Sequence, residues 1–252
     1  VLAQIVLFDG FDPLDVIAPF EVLSAGSDAL GPNALGPDAL GPNALGSDAL
    51  GPDALGPDAL GPDALGGVLE VRLVGIDGAG PVTSGTRGLQ LQASDRLRPE
   101  EPGFVIVPGA SGPVEGDPDE VDTIPVLIAR LGETALPELV RRAFAAPDTL
   151  VATVCGGSLA LAMAGLLEGR TAVTHRLGND VLDATGVTVV NARVVDDGDF
   201  VSAGGVTSGL DLALYLLERQ YGARIAHAVE ELFEYERRGT VWRAEGAVPV
   251  PF

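Results

Sequence analysis

The chain has 252 residues, with 36 acidic against 15 basic side chains, a formal net charge of −21, and arginine as its sole strong base. Such an acidic surface argues against nucleic acid and anionic membranes as partners, because both would repel it. A single cysteine, Cys155, excludes an intrachain disulfide, and two histidines, His175 and His227, without a CxxC or HExxH pattern leave no His-based metal site.

In chain order, AQIVLFD (Ala3–Asp9) is a continuous apolar run bounded by Gly10 and Pro13, the pattern of a strand buried on both faces. It carries no basic region or cleavage pattern, and no apolar run reaches membrane-spanning length, so a soluble cytoplasmic protein is expected. PLDVIAPFEVLSAG predicts a short helix stopping at Gly26. From Ser27 to Gly67 one five-residue phrase, most often Gly-Pro-Asp-Ala-Leu, is repeated eight times. Leucine every fifth residue builds no helical face, and on a strand it alternates sides. Gly-Pro-Asp is turn chemistry. Two conformations fit, a low-complexity linker or a tight coil with its leucines in register, and the regular spacing favours the coil. The segment is expected to be an attachment inserted into one domain formed by residues 1–26 and 68–252, with an unknown binding partner as one role for it.

VLEVRLVG then predicts a second strand, GPVTSGTRGLQLQASD a hairpin, and GFVIVPGASG a third buried strand ending in a Gly-rich loop. TIPVLIARL and ALPELVRRAFAA have the spacing of amphipathic helices, and LVATVC followed by GSLALAMAGLL predicts a strand joined directly to a helix. TAVTH and VTVVNARVVDDGDFVSAG supply further strands; GLDLALYLLERQYG and ARIAHAVEELFEYERR supply two more helices. Alternation of strands and helices predicts an α/β fold, a doubly wound and mostly parallel sheet with helices on both faces. Sites in such sheets lie at the carboxyl ends of the strands.

The residues able to do chemistry gather at such ends. Cys155 stands on a sharp strand-to-helix turn, the geometry of a nucleophile elbow. A helix N-terminus there favours the thiolate, and the amides of Gly156 and Gly157 can face developing negative charge. The competing assignment is a buried cysteine acting as a small apolar residue. Asp15 opens the first helix beside the end of the first strand. If that strand neighbours LVATVC, the carboxyl meets the thiol and is held protonated beside it. A helix cap is the alternative, and Asp12, Asp9 and Glu21 compete for the role. PGASG offers the amides of Gly109 and Ala110 as an anion nest. His175 can approach Cys155 or satisfy a buried backbone group; His227 reads as structural. Thr207 and Ser208 are caps or pocket hydroxyls.

LDVIAPFEVL, VIVPGASG, VATVCGGSLALAMAGLLEGRTAVTH and DFVSAGGVTSGLDLAL together resemble the ThiJ/PfpI superfamily, with its flavodoxin-like, class I glutamine-amidotransferase-like fold. The likeness is greatest to isocyanide hydratases and the related domain of AraC-type regulators. It implies a homodimer, a small-molecule substrate, no metal or organic cofactor, Cys155 as nucleophile, and Asp15 as acid and base. Substrate contacts would come from Gly109, Ala110, Gly156 and Thr207. Isocyanide hydratases usually have Thr after the cysteine, where this chain has Gly156. PfpI-type proteases have His there, so Gly156 also argues against peptidase activity. His175-Arg176 replaces the usual His-Trp pair, and no helix-turn-helix pattern follows. The expected activity is hydration of an isocyanide to an N-substituted formamide. The alternatives are a glyoxalase-type enzyme using His175 and a sensor with an oxidisable Cys155.

Overall fold

The computed structural model describes residues 1–30, 68–117 and 120–247. In chain order the elements are β1 (Leu2–Leu7), α1 (Pro13–Leu30), β2 (Glu70–Gly75), β3 (Gly80–Thr83), β4 (Gln90–Ala93), β5 (Asp95–Arg96), β6 (Gly103–Val107), α2 (Ile124–Gly132), α3 (Leu136–Ala145) and β7 (Thr149–Val154). There follow α4 (Gly157–Met163), β8 (Thr171–Ala172), α5 (Asn179–Asp183), β9 (Thr188–Val189), β10 (Val194–Asp196), β11 (Phe200–Ala203), α6 (Ser208–Tyr221), α7 (Ala223–Phe233) and β12 (Trp242–Arg243).

The main sheet has the order β12-β10-β11-β7-β6-β1-β2-β5, and within it only β10 and β11 pair antiparallel. Its centre is apolar on both faces, as the sequence runs require: β6 and β7 are buried throughout, and β1 from Ala3 onward. Helices α1, α6 and α7 pack together as one layer, and α2, α3 and α4 as another. The chain leaves β1 toward β2 and comes back on the opposite side as β6. This reversal between β1 and β6 is the crevice where open parallel sheets collect their chemistry.

Two local expectations are corrected. Gly26 does not stop the first helix: α1 continues to Leu30, which is buried. The glycine is needed for close packing instead, since a Cβ there would collide with the Leu217 side chain of α6. The first four repeat residues, Ser27–Leu30, therefore belong to the domain, and the Ser27 hydroxyl donates to the Leu69 carbonyl. The coil expected for the rest of the repeat, residues 31–67, lies outside the described residues. The strand expected over TAVTH is the second correction: only Thr171–Ala172 is extended, and it pairs with β9 in a separate small sheet. The predicted hairpin is present as β3 and β4.

Candidate active site

The competition among the early acids is resolved by their hydrogen bonds. Asp12 is the helix cap, its Oδ1 accepting from the Leu14 amide at 2.9 Å. Asp9 accepts from the Thr83 amide at 3.1 Å, and Glu21 is exposed. Asp15 is the one that turns inward, with 0% of its surface exposed. Its Oδ2 accepts the Gly109 amide at 2.9 Å, while Oδ1 is buried with no hydrogen-bond partner. Pro19 stands four residues further along α1, so it leaves the Asp15 carbonyl without its helical donor.

Cys155 sits between β7 and α4 with φ +56°, the left-handed region that side chains seldom adopt. Strain of this kind persists only where surrounding structure enforces it. Here the Cys155 amide donates to the carbonyls of Ala203 (3.0 Å) and Gly204 (2.9 Å), and its carbonyl accepts the Thr174 hydroxyl at 2.6 Å. The backbone packs closely enough to require glycine on both sides. A Cβ at Gly157 would collide with the Val107 carbonyl, and one at Gly109 would stand 2.6 Å from the Gly156 nitrogen and 2.9 Å from Asp15 Oδ2. Gly109 thus lets the β6 loop touch both the elbow and the carboxyl.

The Asp15 carboxyl and Cys155 thiol are neighbours and perturb each other's titration. Burial, followed by the negative charge of Asp12, raises the Asp15 carboxyl to about 8, against the opposing pull of the Gly109 amide and the thiol. Burial, followed by the Asp15 charge, pushes the Cys155 thiol up to about 12, against the amides of Val206 and Gly156. At neutral pH the pair is a carboxylic acid beside a thiol. The lowered thiol pKa expected from the helix N-terminus is not found, because desolvation outweighs the two amides that face the sulfur.

Other expected contacts are rearranged. The Gly109 amide, expected at the substrate, is directed at Asp15 instead. Ala110 is buried in a two-residue antiparallel bridge with Phe11. The Thr207 hydroxyl is held by Arg193 at 3.2 Å, and it is the preceding Val206 whose amide reaches the sulfur. His175 follows β8 and caps a short 3-10 turn, its Nδ1 accepting the Leu177 amide at 3.3 Å, so the ring proton sits on Nε2. The ring lies against Gly205, where any Cβ would displace it. His227 is exposed on α7 between Glu230 and Glu231, each 3.6 Å away. Among the described residues no group of three or more His, Cys, Asp or Glu is arranged to hold a metal, and no helix is long and apolar enough to cross a membrane. Val206 and Thr174 were missed in the sequence; the Gly-Gly-Val run before a helix was the available signal for the first.

Residues 127–219 match the family model described as the DJ-1/PfpI family. The isonitrile hydratase of Pseudomonas putida is 37% identical over 158 residues, which is 62% of this chain and 61% of that protein, so less than two thirds of its length is spanned. The HTH-type transcriptional regulator GbdR of Pseudomonas aeruginosa is 37% identical over 87 residues, 33% of this chain and 23% of the regulator. Among solved structures, Drosophila melanogaster DJ-1beta superposes with a TM-score of 0.65 at 17% identity, covering 93% of this chain and 98% of that one. An AraC family transcriptional regulator from Pseudomonas putida gives 0.59 at 19% identity, covering 92% and 98%. These neighbours share the α/β fold, and residues 127–219 of this chain are similar to the DJ-1/PfpI family.

Proposed function

We propose that the protein is a cysteine-dependent lyase that hydrates an isocyanide to an N-substituted formamide. The observation that carries this reading is the Cys155 thiol, on a strained elbow, beside a buried Asp15 carboxyl that is protonated at neutral pH. Similarity to an isonitrile hydratase supports it.

An isocyanide carbon must gain both a nucleophile and a proton. Asp15 delivers its proton to that carbon as the Cys155 sulfur attacks, and takes up the thiol proton in exchange. The product is a thioimidate in which S and H have added to one carbon. Water then adds to the C=N carbon with Asp15 relaying its proton. The tetrahedral adduct expels the Cys155 sulfur, which recovers its proton and releases the formamide. One isocyanide and one water are consumed, and the protein returns unchanged. The amides of Gly156 and Val206 face the sulfur as it gains charge in the first step and departs in the last. Burial of the thiol in its protonated form disfavours the sensor alternative, since oxidation proceeds through a thiolate. The glyoxalase alternative needs a free ring nitrogen as base, whereas His175 Nδ1 is occupied by a backbone amide.

The test is incubation of the protein, Cys155→Ala and Asp15→Asn with a simple alkyl isocyanide, following formamide by chromatography. Formation that depends on both side chains is expected. Equal product from Cys155→Ala and the unaltered protein, or none from either, refutes the proposal.

A further inference from the structure

The segment Val173–His175 crosses the carboxyl ends of β7 and β11 without joining the main sheet. Buried hydroxyls hold it there in place of ladder hydrogen bonds. Ser158 Oγ donates to the Val173 carbonyl at 2.7 Å, so Thr153 Oγ1, 2.6 Å from Ser158 Oγ, supplies the proton of that second contact. Ser202 Oγ accepts the Val173 amide at 3.0 Å. With both backbone groups of Val173 fixed, the next side chain, Thr174, has its hydroxyl set on the Cys155 carbonyl at 2.6 Å. All four hydroxyl residues are at most 2% exposed, so no water can replace a lost bond readily.

The Cys155 carbonyl and the Gly156 amide are opposite ends of one peptide group. That amide is one of the two that face the sulfur. A donor on the carbonyl fixes the rotation of the peptide plane and polarises the group, which strengthens its N–H as a donor. Gly109 lies against the other side of the same peptide, where a Cβ would come within 2.6 Å of the Gly156 nitrogen.

We propose that Thr174 is a positioning residue: its hydroxyl holds the Cys155–Gly156 peptide so that the Gly156 amide faces the nucleophilic sulfur. The inference rests on Cys155 being the nucleophile and deepens that reading. Without the hydroxyl, the carbonyl is orphaned in a dry site and the peptide is free to rotate. The thiolate then loses a donor, and the thiol titrates higher.

The experiment compares Thr174→Val, Thr174→Ser and the unaltered protein by the pH profile of Cys155 alkylation with iodoacetamide, alongside isocyanide turnover and thermal melting. Loss of one buried hydrogen bond to the reactive peptide predicts alkylation about tenfold slower at a fixed pH in Thr174→Val, with its profile moved to higher pH. Turnover falls in parallel, and Thr174→Ser restores both. Should the valine variant fail to fold, Thr174→Ala removes the same hydroxyl and reads the same quantity. Alkylation and turnover unchanged in a folded variant lacking the hydroxyl overturn the inference, as does failure of Thr174→Ser to restore them. Alkylation does not depend on isocyanide chemistry. An unaltered protein that fails to turn over isocyanide, with alkylation still slowed by losing the hydroxyl, refutes the proposed function and leaves this inference standing.

Discussion

Replacing Asp15 by Asn should stabilise the fold at neutral pH while removing the acid that the chemistry needs. A carboxyl raised from 3.8 to about 8 by folding binds a proton more tightly in the native state than in the unfolded one. The stability it contributes is complete below about 3.8 and is lost as pH rises through about 8. Each pH unit in that window removes about 1.4 kcal/mol, so by pH 7 the native state has lost about 4 kcal/mol relative to acid. Asparagine has no such dependence. Its carbonyl can keep the Gly109 amide, but its NH2 group then stands where Oδ1 has no partner, which costs about 1–3 kcal/mol. The variant is therefore expected to be more stable by about 1–3 kcal/mol at pH 7. Urea unfolding of both proteins from pH 4.5 to 8 brings out the effect, because titrating groups not coupled to Asp15 cancel in the difference. A difference that stays flat across that range refutes a buried, protonated Asp15.

Gly109→Ala should lower turnover about a hundredfold, because its methyl would stand 2.6 Å from the Gly156 nitrogen and displace elbow or carboxyl; steady-state kinetics on a variant with native circular dichroism checks this. Deleting residues 31–67 and joining Leu30 to Val68 by a short Gly-Ser bridge should leave turnover intact, since α1 carries the chain about 22 Å from Asp15 to Leu30. Extending the deletion to Ser27 should cost about 2–4 kcal/mol in urea unfolding, because it removes buried Leu30 and the Ser27 bond to Leu69.

What could be read in advance was whatever depends on near neighbours in the chain. Cys155-Gly-Gly between an apolar strand and a helical pattern is a local signature, and so is Asp15 ahead of Pro19. Alternation predicted a mostly parallel sheet but not the order of its strands: the first strand was to meet Cys155 by lying beside LVATVC, whereas β6 stands between β1 and β7 and the two side chains meet across its loop at Gly109. Features set by distant partners were not legible. Gly26 has the sequence of a helix stop, yet its role is decided by Leu217 on another helix. The Val206 amide and the Thr174 hydroxyl reach the elbow from 51 and 19 residues along the chain, and although both stand in stretches that carry the family resemblance, nothing local shows that they face it. The direction of the thiol shift turned on burial against two amides, a balance that needs the packed structure. Asp12 took the cap because its side chain, rather than that of Asp15, faces the first helical amides.

The central claim is a covalent bond between the Cys155 sulfur and the isocyanide carbon, formed with Asp15 as acid. Rapid quenching during turnover, followed by intact-mass and peptide mass spectrometry, tests it directly. The account predicts an adduct of one isocyanide mass on the peptide containing Cys155, absent from Cys155→Ala. Formamide produced at the full rate with Cys155 never modified would contradict it.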